Sequence, residues 1–198
     1  GSTLFAADDE SEVEEVVVVG SQIKGAKITG SLPVSVVTGI DIEATGVDSG
    51  DDLLEHIAEQ GQNYFTEAED ASGGVNASRG DVGAYNLRNL GVGNSLTLLN
   101  GRRLVNSPGY QTELIGGDYV PTVSVKSNLI TVSGIERLEI LRDGASAVYG
   151  ADAVAGVINT VLQDDYEGLS VTVRSSGYDH FAAEDTKVTA KWGSFFND

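Results

Sequence analysis

The sequence has no cysteine and no methionine among its 198 residues, and it has only three prolines, two histidines and one tryptophan. Without cysteine, disulfide bonds, thiolate metal sites and cysteine nucleophiles are excluded. Long apolar runs are missing as well. The longest unbroken aliphatic run covers residues 16–19, whereas a membrane-spanning helix needs roughly 20 apolar residues. The sequence therefore predicts no transmembrane helix.

Positive charge is scarce: 12 Lys and Arg stand against 30 Asp and Glu, which gives a formal net charge of -18. This charge repels phosphate backbones and anionic lipid headgroups, so we expect no nucleic-acid partner and no polybasic membrane anchor. The hydrophobic fraction of 40% is nevertheless too high for a wholly disordered chain. The length suits one folded domain with a sizeable core.

The first 31 residues differ in composition from the rest. Residues 8–15 contain six carboxylates in eight positions, which favours solvated coil. The four valines that follow, at residues 16–19, are β-branched and favour an extended strand. We interpret residues 1–31 as a flexible segment that carries one β-prone strand. The alternative is that residues 16–19 form the first strand of the folded sheet.

From residue 32 onward the pattern is that of an α+β domain. Strands are expected at residues 33–38, 85–90, 96–99, 102–105, 135–141 and 154–162, and helices at residues 49–60 and 143–149. Asn100 and Gly101 are the preferred pair for a type I′ hairpin turn. Polar, glycine-rich segments at residues 62–83 and 106–124 are expected to be long loops. The predicted fold is a small mixed β-sheet with short helices and long loops.

The last residues show a different alternation. Leu169, Val171 and Val173 alternate with polar residues, and so do Val188, Ala190 and Trp192. This period of two predicts an amphipathic β-hairpin with a loop at residues 175–185. A lone hairpin is at best marginally stable in water.

No pattern in the sequence indicates catalysis. Asp51, Asp52 and Glu55 lie beside His56, but the preference of acidic residues for a helix N-terminus explains them better than a metal cluster does. Neither histidine lies in a nucleophile motif such as G-x-S-x-G. We therefore expect no enzyme, no catalytic residue, no metal site and no cofactor.

Two other interpretations remain open at this point. The tripeptide Arg79-Gly80-Asp81 matches a short adhesion motif, so a secreted binding or adhesion module is the first alternative. The paired carboxylates leave an acidic hydrolase as the second.

Residues 135–160, which read IERLEILRDGASAVYGADAVAGVINT, resemble the plug domain of TonB-dependent outer-membrane receptors. Shorter matches occur in the family's order: EEVVVVG at residues 14–20, which is similar to a TonB box, LL at 53–54, NLRNLG at 86–91 and LTLLNGR at 96–102. The resemblance covers about residues 14–162. The chain departs from the family at Asn89, Asn100 and Asp143, where the family often has Gly, Asp and Gly, and it lacks the Pro-Gly-Val expected after the first helix.

The resemblance implies a plug that closes the lumen of a 22-stranded barrel in the outer membrane of a Gram-negative bacterium. It implies a flexible segment with the TonB box at residues 1–31, the plug domain at 32–165 and the first barrel strands at 166–198. The N-terminus would face the periplasm, and the isolated plug would be soluble. The partners implied are the periplasmic C-terminal domain of TonB, the chain's own barrel, and a nutrient ligand.

The resemblance also implies site residues. TonB, which pulls on the plug, would bind Glu14, Glu15, Val16, Val17, Val18, Val19 and Gly20 by strand addition. Arg88 and Arg142 match two plug arginines that pair with barrel glutamates; as an alternative, they are ordinary surface arginines. Aromatic residues on the long loops are candidates for ligand contact or, alternatively, fold back on the plug: Tyr64, Phe65, Tyr110 and Tyr119.

Overall fold

The computed structural model describes residues 34–47, 49–63, 72–77, 79–80, 82–142, 144–178 and 181–194. The proposed TonB box at residues 14–20, and Tyr64 and Phe65, lie outside these residues. Within the described part of the chain, no helix is long and apolar enough to cross a membrane.

The described elements follow one another in a mixed order of strands and short helices. They are β1 (Val34–Thr38), α1 (Gly39–Thr45), α2 (Gly50–Glu55), β2 (Ser95–Leu99), β3 (Arg102–Arg103), β4 (Gln111–Ile115), β5 (Asp118–Thr122), β6 (Ile135–Leu141), α3 (Ser146–Tyr149), β7 (Gly156–Leu162), β8 (Gly168–Tyr178) and β9 (Phe181–Gly193). Single 3-10 turns occupy residues 92–94, 127–129 and 151–153. The predicted α+β fold class is confirmed.

Five strands form the central sheet in the order β1-β6-β7-β2-β3. β6 is antiparallel to both β1 and β7, whereas β2 and β7 run parallel. β1 lies at one edge and pairs with β6 from Val34, opposite Leu141, to Thr38, opposite Arg137. The hairpins β4–β5 and β8–β9 are separate two-stranded sheets.

Apolar side chains cover both faces of the central sheet. On one face, Ile42 of α1 and Leu53 and Leu54 of α2 pack in a cluster with buried residues of β6 and β7. The other face carries a smaller cluster that includes Leu98, Leu141 and residues of the α3 region. The helices begin where the sequence offers caps: the Thr38 side chain accepts a hydrogen bond from the Asp41 amide, and Ser49 accepts one from the Asp52 amide.

Several sequence predictions need correction. α2 ends at Glu55 and not near residue 60, because the chain that follows makes backbone hydrogen bonds to a distant segment: the Gly61 N–H donates to the Asn86 carbonyl over 2.7 Å. Residues 85–90 form no strand beyond one bridge between Gln60 and Leu87. Arg88 and Asn89 have φ angles of 55° and 57°, which turn the chain sharply. Helix α1 was not predicted.

Two predicted loops, the long loop at residues 106–124 and the hairpin loop at residues 175–185, are wrong in extent. Residues 106–124, expected to be a loop, contain the strands β4 and β5, whose turn residues Gly116 and Gly117 have φ angles of 62° and 95°. Two successive left-handed residues suit the two-residue turns that join antiparallel strands. The loop expected at residues 175–185 is also mostly strand, since β8 and β9 pair from Gly168, opposite Gly193, to Tyr178, opposite Phe181.

Candidate ligand-contact hairpin and plug arginines

The hairpin of β4 and β5 has an apolar, exposed tip. Leu114 and Tyr119 stand opposite each other, and their exposed fractions are 53% and 63%. Ile115 and Val120, which alternate to the other face of the hairpin, are exposed as well. Apolar side chains that cluster on a protruding element often mark a contact surface. Tyr119 was a predicted ligand contact, whereas the aliphatic tip residues were missed. The Gly116-Gly117 pair between apolar residues was the signal for this hairpin.

The base of the same hairpin is buried and hydrogen-bonded. Glu113 is 4% exposed, and its carboxylate accepts the Val92 N–H over 2.9 Å and the Thr122 hydroxyl over 3.0 Å. The Thr112 N–H donates to the Asn76 side-chain oxygen over 2.5 Å. A fixed base lets the tip project from the domain, because the polar groups that anchor it satisfy one another.

Tyr110 is half-buried and contacts Arg79. An Arg79 guanidinium nitrogen lies 3.0 Å from the Tyr110 hydroxyl oxygen, and the guanidinium carbon lies 5.5 Å from the ring centroid. Of the predicted ligand contacts, Tyr110 thus folds back on the plug while Tyr119 projects. The same contacts hold the arginine of the Arg79-Gly80-Asp81 motif against the domain, which weakens the adhesion-module alternative; Asp81 lies outside the described residues.

The two predicted barrel-contact arginines come together at one end of the sheet. Arg88 is exposed and donates from Nη2 to the Ala155 carbonyl over 3.0 Å. Arg142 directly follows β6 and lies beside the first residue of β7, Gly156. A Cβ added to Gly156 would lie only 3.4 Å from the Arg142 Cα. Gly156 has a φ of 144°, and a Cβ there would also come within 2.5 Å of the Leu141 carbonyl oxygen. The chain can therefore pass this crowded point only as glycine.

Arg142 is half-buried. Its Nε is a buried donor that has no hydrogen-bond partner within the part of the chain that the structure describes. A buried guanidinium N–H is costly to leave unpaired. This position suits a partner that approaches from outside the described residues.

Two positively charged residues connect the β8–β9 hairpin to the rest of the domain. The Arg174 guanidinium donates to the Gly46 carbonyl at the C-terminal end of α1. Lys191 donates to the Gln163 side-chain oxygen over 3.0 Å, and its Nζ lies 4.2 Å from the Tyr166 ring centroid. A cleft of about 580 Å³ lies between this hairpin and the end of β7. Sequence reasoning did not identify these two contacts.

The opposite face of the hairpin is apolar and exposed. It carries Leu169, Val171 and Val173 on β8 and Val188 and Trp192 on β9, each at least 59% exposed. One apolar and one polar face agree with the alternation in the sequence.

Asp51 forms a half-buried polar junction between α2 and the turn at residues 127–129. Its carboxylate accepts hydrogen bonds from the Ser127 hydroxyl and the Asn128 amide, and its N–H donates to the Asn128 side-chain oxygen over 3.0 Å. Burial raises the pKa of Asp51, although the bond from Ser127 and the charge of Lys126 oppose the shift. Burial also raises the pKa of the adjacent Tyr85 hydroxyl. Among the described residues, no group of three or more His, Asp or Glu side chains is placed to bind a metal.

Solved structures with a similar fold are receptors that are much longer than this chain. A double mutant of the ferric enterobactin receptor PfeA from Pseudomonas aeruginosa is 20% identical with a TM-score of 0.59, and the match covers 91% of this chain and 24% of that one. The siderophore receptor PirA from Acinetobacter baumannii is 23% identical with a TM-score of 0.55, with 82% and 22% covered. At these identities the likeness shows the fold alone. This chain spans less than a quarter of either receptor.

The sequence comparison identifies the family. A family model described as the TonB-dependent receptor plug domain matches residues 26–157, which is about two thirds of the chain. The match contains four strands of the central sheet and the start of the fifth, β7, together with the β4–β5 hairpin and both plug arginines. The chain therefore belongs to the family of TonB-dependent receptor plug domains.

Proposed function

We propose that this chain is the gating plug of an active transporter in the outer membrane of a Gram-negative bacterium. In this proposal the plug closes the lumen of its own barrel, contacts the ligand through its loops, and opens when TonB pulls on residues 14–20. Residues 1–31 serve as the flexible segment, 32–165 as the plug and 166–198 as the first barrel strands. The N-terminus faces the periplasm.

The edge position of β1 is the observation that carries the gating proposal. β1 is the first described element after the N-terminal segment, and within the described residues it pairs with one strand only, β6. A pull on the residues before Val34 loads the pair of Val34 and Leu141 first. The strand can then separate pair by pair, which requires less force than breaking all pairs together. Partial unfolding of this kind needs less free energy than global unfolding.

Polar residues on the strands next to β1 support the proposal that its release opens the plug. Val36 of β1 stands opposite Glu139 of β6, which in turn stands opposite Asn159 of β7. Glu139 is fully buried; it accepts hydrogen bonds from the Asn159 side chain over 3.1 Å and from Arg137 Nε over 3.0 Å. Release of β1 would uncover this carboxylate, and a charged group that gains water favours the open state.

Arg88 and Arg142 are proposed to bind carboxylates of the barrel wall. They lie at the same end of the sheet, and the Nε of Arg142, which has no acceptor among the residues that the structure describes, can take one from the barrel. Arg fits such a partner because its fork matches both carboxylate oxygens. In an intact receptor, changing both residues to alanine should weaken plug seating. Unchanged protection of the plug from protease would contradict this role.

The ligand contact is proposed to use Tyr119 at the tip of the β4–β5 hairpin. Tyr64, Phe65 and Tyr110 were predicted for the same role; the first two lie outside the described residues, and Tyr110 is engaged with Arg79. The names of the two similar receptors indicate their ligands: a siderophore for PirA and ferric enterobactin for PfeA. A ligand of this general kind, a nutrient too large for passive diffusion, is the proposed substrate here.

A reversible cross-link tests the gating proposal. Because these 198 residues contain no cysteine, the pair Val34→Cys and Leu141→Cys would form the one disulfide possible within them, between facing residues of β1 and β6. Its matched control is Leu99→Cys with Arg102→Cys, which joins β2 to β3 and leaves β1 untouched. Ligand uptake is measured in cells that carry the intact receptor.

We expect the oxidised 34–141 receptor to lose uptake and to regain it after reduction, while the 99–102 receptor transports in both states. Recovery after reduction shows that the variant is folded and seated. Uptake at the wild-type rate through the oxidised 34–141 receptor would contradict release of β1.

A further inference from the structure

Helix α1 is the first element that would follow β1 when the N-terminal end of the chain is pulled. Of its seven residues, Gly39 and Ile42 are buried, whereas Ile40 is 80% exposed. A helix this short is not stable in water by itself. The contacts of α1 with the rest of the protein therefore decide whether it stays folded after β1 is released.

The C-terminal end of α1 contacts a cation of the β8–β9 hairpin. The sequence of α1 contains no lysine or arginine, and its C-cap residue, Gly46, has a left-handed φ of 78°. The Arg174 guanidinium donates to the Gly46 carbonyl. A Cβ added to Gly46 would lie 3.9 Å and 4.0 Å from the two terminal nitrogens of Arg174, so the guanidinium lies against this part of the backbone. A positive charge stabilises the C-terminal carbonyl groups of a helix, which have no partner within it.

Arg174 belongs to the polar face of the hairpin, which is turned toward the domain. It is half-buried and stands opposite Lys187 in the pairing of β8 with β9. Lys191 shares this face, because side chains an even number of residues apart along a strand point the same way. It donates to the Gln163 side-chain oxygen over 3.0 Å. The hairpin thus contacts the domain both at the end of α1 and in the chain that follows β7.

Helix α2, the next element along the chain, is fixed more firmly than α1. It buries Leu53 and Leu54 in the core. Its Asp51 carboxylate accepts hydrogen bonds from the Ser127 hydroxyl and the Asn128 amide, which join α2 to a distant turn. A pull that extracts α1 would therefore be resisted next at α2.

We propose that Arg174 is a positioning residue that holds α1 on the β8–β9 hairpin and so limits the released segment to β1. The inference rests on the proposed gating function, in which β1 is released and residues 166–198 belong to the barrel. A side chain on the barrel is not displaced by a pull on the plug, so it can retain the helix that it contacts. Without Arg174, the pull extracts α1 as well, and the released segment ends at α2.

Force spectroscopy on the intact receptor in a lipid bilayer tests the inference. The force is applied through a handle on the N-terminal segment, and the length released in the first event is measured. In the wild type, we expect this length to correspond to a chain freed as far as Thr38. In Arg174→Ala, the first event should also free residues 39–49, which adds about 25–40 Å once the folded length of α1 is subtracted.

Two variants serve as controls. Arg102→Ala removes an exposed arginine of β3 and should leave the first released length unchanged. Arg174→Lys keeps the positive charge but loses the guanidinium fork, so we expect the wild-type length at a lower force. The total length released when the whole plug unfolds should be the same in every variant, which confirms that the plug was folded before the pull.

Two outcomes would overturn the inference. In one, the first event has the same length in Arg174→Ala as in the wild type. In the other, the wild-type receptor already releases α1 together with β1. A failure of the gating proposal is distinguishable from both, because the first event would then leave β1 paired with β6, and the oxidised 34–141 receptor would still transport the ligand.

Discussion

The removal of the Glu113 carboxylate is the most direct test of how the hairpin is held. In Glu113→Ala, the buried Val92 N–H and the Thr122 hydroxyl lose their acceptor. Each charge-assisted hydrogen bond contributes about 1.5–3 kcal/mol, so the two together give roughly 3–6 kcal/mol. Relief of the buried charge offsets part of this loss. We expect the free energy of unfolding to fall by about 2–4 kcal/mol.

The free energy of unfolding is measured by urea denaturation followed by circular dichroism. A loss of this size is large against the about 5–15 kcal/mol of a typical domain. Glu113→Gln is the matched control, because its amide can still accept from the Val92 N–H and can donate to the Thr122 hydroxyl. We expect it to lose less than about 1.5 kcal/mol. If the Ala and Gln variants agree within about 0.5 kcal/mol, the hydrogen bonds do not anchor the hairpin and the reasoning fails.

Two further predictions concern other contacts of the domain. Burial raises the folded-state pKa of Asp51 above its usual value, so the folded state favours the protonated acid. Protonation of Asp51 therefore stabilises the fold fully below the unfolded-state pKa, and this contribution is lost as pH rises through the folded-state pKa. Asp51→Asn should therefore increase stability at pH 7 relative to wild type, with a gain that shrinks toward pH 4; a gain that is equal at both pH values would contradict the assignment. Arg174→Ala should increase hydrogen exchange at the C-terminal end of α1, because the carbonyl of its C-cap residue Gly46 loses a donor, whereas Arg102→Ala, an exposed arginine on β3, should not; equal exchange in both variants would refute the contact.

Local sequence determined the parts of the fold that depend on neighbouring residues. Apolar runs predicted β2 and β7 closely, and the alternation of apolar residues predicted β6, since these strands bury their side chains in the sheet. Asn100 and Gly101 do adopt positive φ angles of 48° and 75°, as the predicted turn requires. The family signature at residues 135–160 was sufficient to identify the plug, and the family match confirms it.

Contacts between distant segments decided what the local pattern could not. α2 ends at Glu55 because the chain after it bonds to residues 86–88, which the composition of neither segment reveals. Residues 106–124 have the composition of a loop, yet β4 and β5 form within them. The hairpin is held because Glu113 accepts the Val92 N–H and the Thr112 N–H donates to the Asn76 side chain.

The sequence and the tertiary structure also determined different features of the candidate site. The sequence by itself supplied the loop aromatics, the two plug arginines and the excess of carboxylates, since residue types and charges require no coordinates. Only the tertiary structure decided that Tyr110 stacks on Arg79 while Tyr119 projects, and that Arg88 and Arg142 meet at one end of the sheet. The physical reason is that exposure and pairing depend on which segments the fold brings together, and spacing along the chain does not encode that information.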